Sequence, residues 1–359
     1  MRVTHLQVTN FRSLQNLDLN FDQDFVILVG PNGSGKTSVL ECIFYSSVLQ
    51  AFPPSKSWEL IRFGETFFRI KNKVEGLALE YYYGKKDERR FERSQTIDGV
   101  RKKAGEVLGE LPTVTFLPQD LNILQLSPGL RREYLDEILL QTEPGYEKEL
   151  SGYAKILLQR NELLGRIRAA AAKEKELDFW DEKLSAAASK ITTSRQRLAD
   201  FMAENLMREY RGLVGEKLEC TFTYLPTAPN PDEEGFSEAL YKNRRTDIAS
   251  ARTGTGPHRD DWKITNTDTK DLAHYLSRGQ QRSVVMALKI IEAGYLRQVL
   301  KKHPVFLLDE LLAELDPARK KSVVKNLPEE TQKFLTTTDL SEIPSEVIEK
   351  AQVIELGAY

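Results

Sequence analysis

Two short segments near opposite ends of this 359-residue chain carry complementary halves of one kind of site, so both ends must return to one lobe. The first, Gly30-Pro31-Asn32-Gly33-Ser34-Gly35-Lys36-Thr37, fits the pattern G-x-x-x-x-G-K-[ST]. Its glycines let successive backbone N–H groups turn inward as a positive nest. Lys36 then reaches phosphate oxygens, Thr37 meets Mg2+, and the following helix points its positive end at the same anion. The flanks agree. Residues 25–29 form a β-type apolar run, and Ser38 opens a stretch, 38–49, with apolar residues at helical spacing. The second segment, Val305-Phe306-Leu307-Leu308, is of buried-strand type and ends in Asp309-Glu310. There Asp309 would hold the magnesium shell and Glu310 would take a proton from an attacking water. Taken alone, the acidic pair also reads as a helix N-cap with its first-turn acid. Beside a phosphate loop it completes an ATP site.

A third segment, Ser277-Arg278-Gly279-Gln280-Gln281-Arg282, precedes a strongly helix-forming run over 283–291. A small polar residue, a glycine and a helix N-terminus make another anion-binding corner. Two such corners in one chain point to a composite site completed by a second copy. The set, with Ala313-Glu314-Leu315-Asp316 after the acidic strand, resembles the ABC-type ATPases. Within them it resembles the SMC-like repair ATPases of the RecF family. Asn10-Phe11-Arg12, Leu117-Pro118-Gln119-Asp120-Leu121, Ser127-Pro128-Gly129-Leu130-Arg131-Arg132 and Gly256-Pro257-His258-Arg259-Asp260-Asp261 carry that likeness. The motifs follow one another from residue 10 to residue 316 in the family's order.

The resemblance implies an α/β fold: an ABC-type ATPase lobe with an inserted, mainly helical arm of short antiparallel coiled-coil type. It implies that Ser277 and Gly279, with Gln280, contact the γ-phosphate held by the partner subunit. Gln119 would sense magnesium and γ-phosphate from a lid, and Arg12 would approach the nucleotide from the first strand. Ser277, Arg278 and Asp316 would support the subunit contact. Transporter ATPases carry Gly where this chain has Arg278, which marks the repair branch. The switch position, commonly His, is replaced here by Thr337-Thr338-Asp339; a threonine can hydrogen-bond a phosphate but cannot carry a proton as imidazole does. The implied activity is slow, Mg2+-dependent ATP hydrolysis. ATP would drive head-to-tail dimerisation on double-stranded DNA at gaps or junctions, and hydrolysis would release it. Recombination mediator proteins are the implied partners, in loading a recombinase on single strands. The alternatives are a chromosome-organising SMC head, an ABC transporter ATPase subunit, and a nucleotide-switched binding module with negligible turnover.

Composition sets limits. At 40% hydrophobic and 29% charged the chain is of ordinary globular type. Cys42 and Cys220 are too few for a disulfide framework, and the four histidines lack ligand spacing, so no structural metal is expected. The opening residues read as a strand rather than a signal peptide, and no apolar run approaches the roughly 20 residues of a membrane span, so a cytoplasmic location is expected. Net charge is −2, but residues 52–103 hold 13 Lys/Arg against 8 Asp/Glu. Lys85, Lys86, Arg89, Arg90, Lys102 and Lys103, interleaved with Tyr81, Tyr82, Tyr83 and Phe91, read either as a DNA-phosphate edge or as a lysine-guarded edge strand.

Strands are expected at 2–9, 17–21, 25–29, 67–74, 77–83, 114–117, 261–265, 305–308 and 334–336. In the middle, Trp180, Leu184, Ala187, Ile191, Ser194, Leu198 and Phe201 recur at alternating fours and threes, as do Leu150, Ala154, Leu157, Asn161 and Leu164. These predict two antiparallel helices of roughly 25 residues, about 40 Å each, folding back near 173–178. The expected organisation is an ATPase lobe over 1–128, an arm over 129–245 and a return to the lobe over 246–359. Arg259 with Asp260 reads equally as a structural ion pair or a functional one.

Overall fold

The computed structural model describes residues 1–52, 55–87, 90–125, 127–214, 218–266, 268, 270–310 and 327–357. They divide into two compact units: Met1–Ile123, Arg208–Glu216 and Arg278–Tyr359 in one, Leu124–Met207 and Lys217–Ser277 in the other.

The first unit holds two sheets. Strands β1 (Val3–Phe11), β2 (Leu14–Asn20), β4 (Phe67–Val74), β5 (Leu77–Lys85), β6 (Phe91–Ile97) and β7 (Val100–Lys102) form an antiparallel sheet in the order β2-β1-β4-β5-β6-β7. Period-2 alternation is clear on β4, where Phe68, Ile70, Asn72 and Val74 are buried. The expected strands 67–74 and 77–83 pair as a hairpin through Glu75-Gly76, with both residues at positive φ (45° and 90°), the geometry of a two-residue turn. Asp98-Gly99 makes an equivalent turn between β6 and β7, two strands beyond those expected from the pattern of the chain.

The second sheet is wholly parallel. Its order is β13 (Gln352–Glu355), β3 (Phe25–Val29), β12 (Lys333–Thr337), β11 (Val305–Leu308), β8 (Thr113–Phe116). β11 and β12 are buried along their whole length; β11 is accordingly a continuous apolar run, while β12 buries Lys333, Thr336 and Thr337 with its two apolar residues. Helix α1 (Lys36–Val48) touches strands of both sheets and is buried on nearly every residue, polar Glu41, Ser46 and Ser47 included. Phe11, Tyr45, Phe68 and Tyr81 meet edge to face in the core between them. The short α2 (Ala104–Val107) leads into β8.

The second unit contains α3 (Pro128–Thr142), α4 (Tyr146–Arg168), α6 (Glu233–Ser250) and the pair β9 (Thr221–Leu225) and β10 (Asp261–Thr265). It also takes most of α5 (Leu177–Val214), whose 38 residues span about 57 Å and exceed the expected length. Leu184, Ile191, Ser194 and Leu198 of the predicted seam are buried on α5, whereas Trp180, Ala187 and Phe201 are half-buried; Ala188, Met202, Asp181 and Arg195 join the buried stripe. On α4, Leu164 is buried, but Leu150 and Leu157 are half-buried and Ala154 is exposed, because the helix packs instead along α6. This unit continues to Ser277 rather than 245, since β10 pairs with β9 and Asp260 ties the two segments together. Cys42 and Cys220 are both free and buried.

Candidate nucleotide-binding site

Parallel strands deliver their C-terminal ends to one edge of a sheet, where loops can bind a ligand. Here β3, β11 and β12 are in register, Val29 opposite Thr337 and Leu308 opposite Leu335. The three segments that follow them therefore meet. After β3 comes the phosphate loop. Gly35 is left-handed (φ 87°) and a side chain there would strike Leu14 at 2.6 Å; at Gly30 one would strike the carbonyl of Leu356 at 2.3 Å. Both positions demand glycine, one for its backbone conformation and both for space. Lys36 starts α1, and its ammonium donates to the carbonyls of Gly30 (2.8 Å) and Pro31 (3.0 Å). Lys36 is 4% exposed, and no carboxylate lies within salt-bridge distance of it among the described residues.

Asp309 closes the site from β11. Thr37 Oγ1 donates to its carboxylate at 2.9 and 3.0 Å, and Thr336 Oγ1 donates to Oδ1 at 2.7 Å. The Glu310 N–H donates back to Thr336 Oγ1 at 2.9 Å. Glu310 itself is left-handed (φ 48°), an unfavourable conformation for a non-glycine residue, held by that bond at the strand end. Thr336 is a site residue that the motif pattern passes over. That pattern points to Thr337 and Thr338, but Thr337 Oγ1 is engaged with the Asp339 carbonyl and Glu342. A signal for Thr336 exists all the same: it is a hydroxyl in a buried parallel strand.

The oxygen donors suit a small hard cation: a threonine hydroxyl and a carboxylate face each other at hydrogen-bond distance. Ser34 Oγ, fully buried inside the loop, has no hydrogen-bond partner and is available to an incoming acceptor. Arg12 lies just after β1. Its guanidinium makes a two-point pair with Glu41 of α1 (2.9 and 2.9 Å) and donates to the Glu59 carbonyl (3.3 Å). Gln119 is exposed in the turn Pro118–Asn122. The next residue, Asp120, lies 3.6 Å from the buried ammonium of Lys289 on helix α7 (Arg278–Leu300). Exposed Ser277 and Arg278, followed by Gly279 and Gln280, stand at the amino end of that helix. Asp316 and Arg89 lie outside the described residues.

The basic residues divide. Lys85, Lys86 and Arg90 are exposed at the β5–β6 turn, where Arg90 pairs with Asp87. Lys102 and Lys103 close β7, Lys102 facing Glu106. Between them the outer sheet face forms a depression of about 350 Å³ lined by Arg69, Arg93 and Arg101 with Glu80 and Glu92. The Gly256–Asp261 motif (256–261) is a packing hub. Asp260, fully buried, accepts from Tyr224, Thr192 and twice from Thr227, while Arg259 is exposed. The expected Arg259–Asp260 pair does not form, because hydroxyls and an amide already satisfy the carboxylate. Burial lowers the pKa of His258, hydrogen-bonded to Tyr153, to about 4.

The RecF/RecN/SMC N-terminal domain family matches residues 2–354. The DNA replication and repair protein RecF of Heliobacterium modesticaldum is 33% identical over 100% of this chain and 98% of its own length. The chain belongs to the RecF family. RecF of Moorella thermoacetica is likewise 33% identical, over 99% of this chain and 95% of its own. Among solved structures, one described as the recombination mediator protein RecF-ATP in the RecFOR pathway superposes with a TM-score of 0.84 at 30% identity, over 95% of this chain and 93% of its own. An SMC head bound to a domain of ScpA, at 16% identity and a TM-score of 0.51, shares the fold. The ABC ATPase-like fold with a helical arm is thus common to this chain and its relatives. Among the described residues no helix is long and apolar enough to cross a membrane.

Proposed function

We propose that this chain is an ATP-dependent DNA-binding ATPase of recombinational repair that acts in the cytoplasm. One observation carries the reading: the phosphate loop and the acidic strand are already joined through Thr37, Asp309 and Thr336 at the open ends of three parallel strands. The triphosphate lies in the nest of Gly30, Pro31, Asn32, Gly33, Ser34 and Gly35, with Lys36 turning from carbonyls to phosphate oxygens. Thr37 and Asp309, with Gln119 from the lid, would hold Mg2+, which would supply charge neutralisation to the triphosphate. Glu310 takes the proton of the attacking water. Ser277, Gly279 and Gln280 reach the γ-phosphate of a second copy, with Arg278 and Asp316 at the contact, so ATP joins two protomers head to tail.

The closed dimer holds double-stranded DNA at gaps and junctions through basic residues such as Lys85, Lys86, Arg90, Lys102 and Lys103, and hydrolysis releases it. The relatives' description as mediators of the RecFOR pathway supports a role beside other mediators in placing a recombinase on single strands. Analytical ultracentrifugation with and without ATP tests this. Lys36→Met is expected to abolish both ATP binding and ATP-dependent pairing. Ser277→Arg is expected to retain monomer binding and lose pairing; weakened monomer binding would refute its assignment to the second copy's site.

A further inference from the structure

Two motifs of the chain, at 127–132 and 256–261, play no part in the proposed ATP chemistry, and within the second unit they meet. Arg131 pairs with Asp261 (2.7 and 2.6 Å), and Arg132 Nη1 donates to the Asp260 carbonyl (2.7 Å). Their junction opens onto a cavity of about 280 Å³ between α3 and α4, lined also by buried Ile191 of α5 and by Pro257 and His258. The two walls differ in kind. On α3, Gly129, Arg132, Glu133 and Asp136 recur at the spacing of one helix face. On α4, Leu150, Ala154 and Leu157 do the same, and Leu158 (57% exposed) carries the apolar stripe past the cavity.

Most polar groups of this cavity are already engaged. Asp136 accepts from Arg195 (2.9 and 2.8 Å) and from Tyr146 (2.6 Å). His258 donates through Nε2 to the Thr253 carbonyl (3.0 Å) and accepts from Tyr153 at Nδ1. Two groups remain. Arg132 spends Nη1 on one carbonyl and has no other hydrogen-bond or ion-pair partner among the described residues. Glu133 has none among them. Burial disfavours both charges, lowering the pKa of Arg132 and raising that of Glu133, so each gains from a complementary group.

A free donor fork beside a free acceptor, opposite an apolar wall, matches a ligand with a carboxylate, a neighbouring N–H and an apolar side chain. The last residue of a polypeptide has all three. A fatty acid lacks the N–H that Glu133 requires, and a free amino acid is too short to cover the stripe as far as Leu158. We propose that this cavity captures the C-terminal residue of a partner polypeptide, with its α-carboxylate on Arg132, its amide N–H on Glu133 and an apolar side chain against Leu150, Ala154 and Leu157. The site lies wholly within the second unit and does not depend on the nucleotide site.

Fluorescence anisotropy of the full chain with fluorescein-labelled glycyl-seryl-glycyl-leucine provides the test, beside the same peptide ending in an amide. The free acid is expected to bind roughly tenfold more tightly than the amide. Unlabelled peptide is expected to compete roughly tenfold better than free leucine. Arg132→Gln is expected to erase the difference between acid and amide. Because Arg132 also holds the Asp260 carbonyl, a second variant guards against loss of folding. Ala154→Trp, at an exposed helix position, fills the cavity and is expected to abolish peptide binding with thermal unfolding unchanged. Equal binding of acid and amide, no binding of the acid, or binding that survives Ala154→Trp overturns the proposal. Free leucine competing as well as the peptide overturns the assignment to a polypeptide.

Discussion

Lys36 in the first unit and Arg160 in the second are both buried cations, yet their partners differ in kind. Lys36 is held by two backbone carbonyls. Arg160 is held by Asp181 (2.7 Å), Asp247 (2.8 Å) and the hydroxyl of Thr253 (2.8 Å), and Asp181 is shared with Arg244. Neutral acceptors leave the lysine's charge uncompensated, so an anion arriving at the loop gains its full attraction. The arginine's charge is already neutralised by two carboxylates, although its buried Nη2 has no hydrogen-bond partner. The contrast separates the units. Polar groups at the sheet edge of the first are held ready for exchange, whereas those around Arg160 in the second are closed into networks that fix helices.

The largest effect that would test this contrast is at Glu310. Glu310→Gln is expected to slow ATP hydrolysis roughly 100- to 10,000-fold, measured as phosphate release, with ATP affinity unchanged. Turnover that survives would remove the general-base role. Next comes the closed network. Arg160→Ala leaves buried carboxylates uncompensated and is expected to cost about 3–5 kcal/mol in urea unfolding of the second unit. ATP affinity at the first unit should hold; a parallel loss there would break the separation of roles.

The smallest effect is a pH dependence. His258 titrates at about 4 in the folded chain against an ordinary 6.5, because burial disfavours the imidazolium. The unfolded chain therefore takes up a proton first as pH falls. The stability His258 contributes is complete above about pH 6.5 and is lost progressively toward pH 4. Between pH 7.5 and pH 5 this amounts to about 2 kcal/mol. A His258→Gln variant should show a correspondingly flatter profile in thermal or urea unfolding across that range. An unchanged profile would show that Tyr153 and the Thr253 carbonyl hold the ring without excluding its charged form.

Much of the first unit was legible. Phe25–Val29 and Val305–Leu308 are apolar runs because parallel strands are buried on both faces. Three glycines, a lysine and a threonine placed between such a strand and a helix are what a backbone nest for phosphate requires. The second unit was harder to read. Asp181 and Arg195 occupy core positions of α5 beside Leu184, Ile191 and Leu198, so periodicity finds the apolar part of the stripe but passes over its charged members and takes in half-buried Ala187 and Phe201. Arg12 illustrates the same limit. Its motif was recognisable, but its pairing with Glu41 depends on where α1 lies beneath the β1–β2 turn.

Local chemistry in the sequence determined which residues could wrap a phosphate and which could polarise a water, because glycine, lysine and paired acids have those capacities wherever they occur. It also determined that the ends of the chain share a sheet. Only the tertiary structure decided that Thr336 rather than Thr337 joins Asp309, and that Asp260 is a hub rather than a partner of Arg259. Those outcomes depend on strand register and on which neighbours have already satisfied a donor or acceptor. Pairing across hundreds of residues is not written in any local pattern.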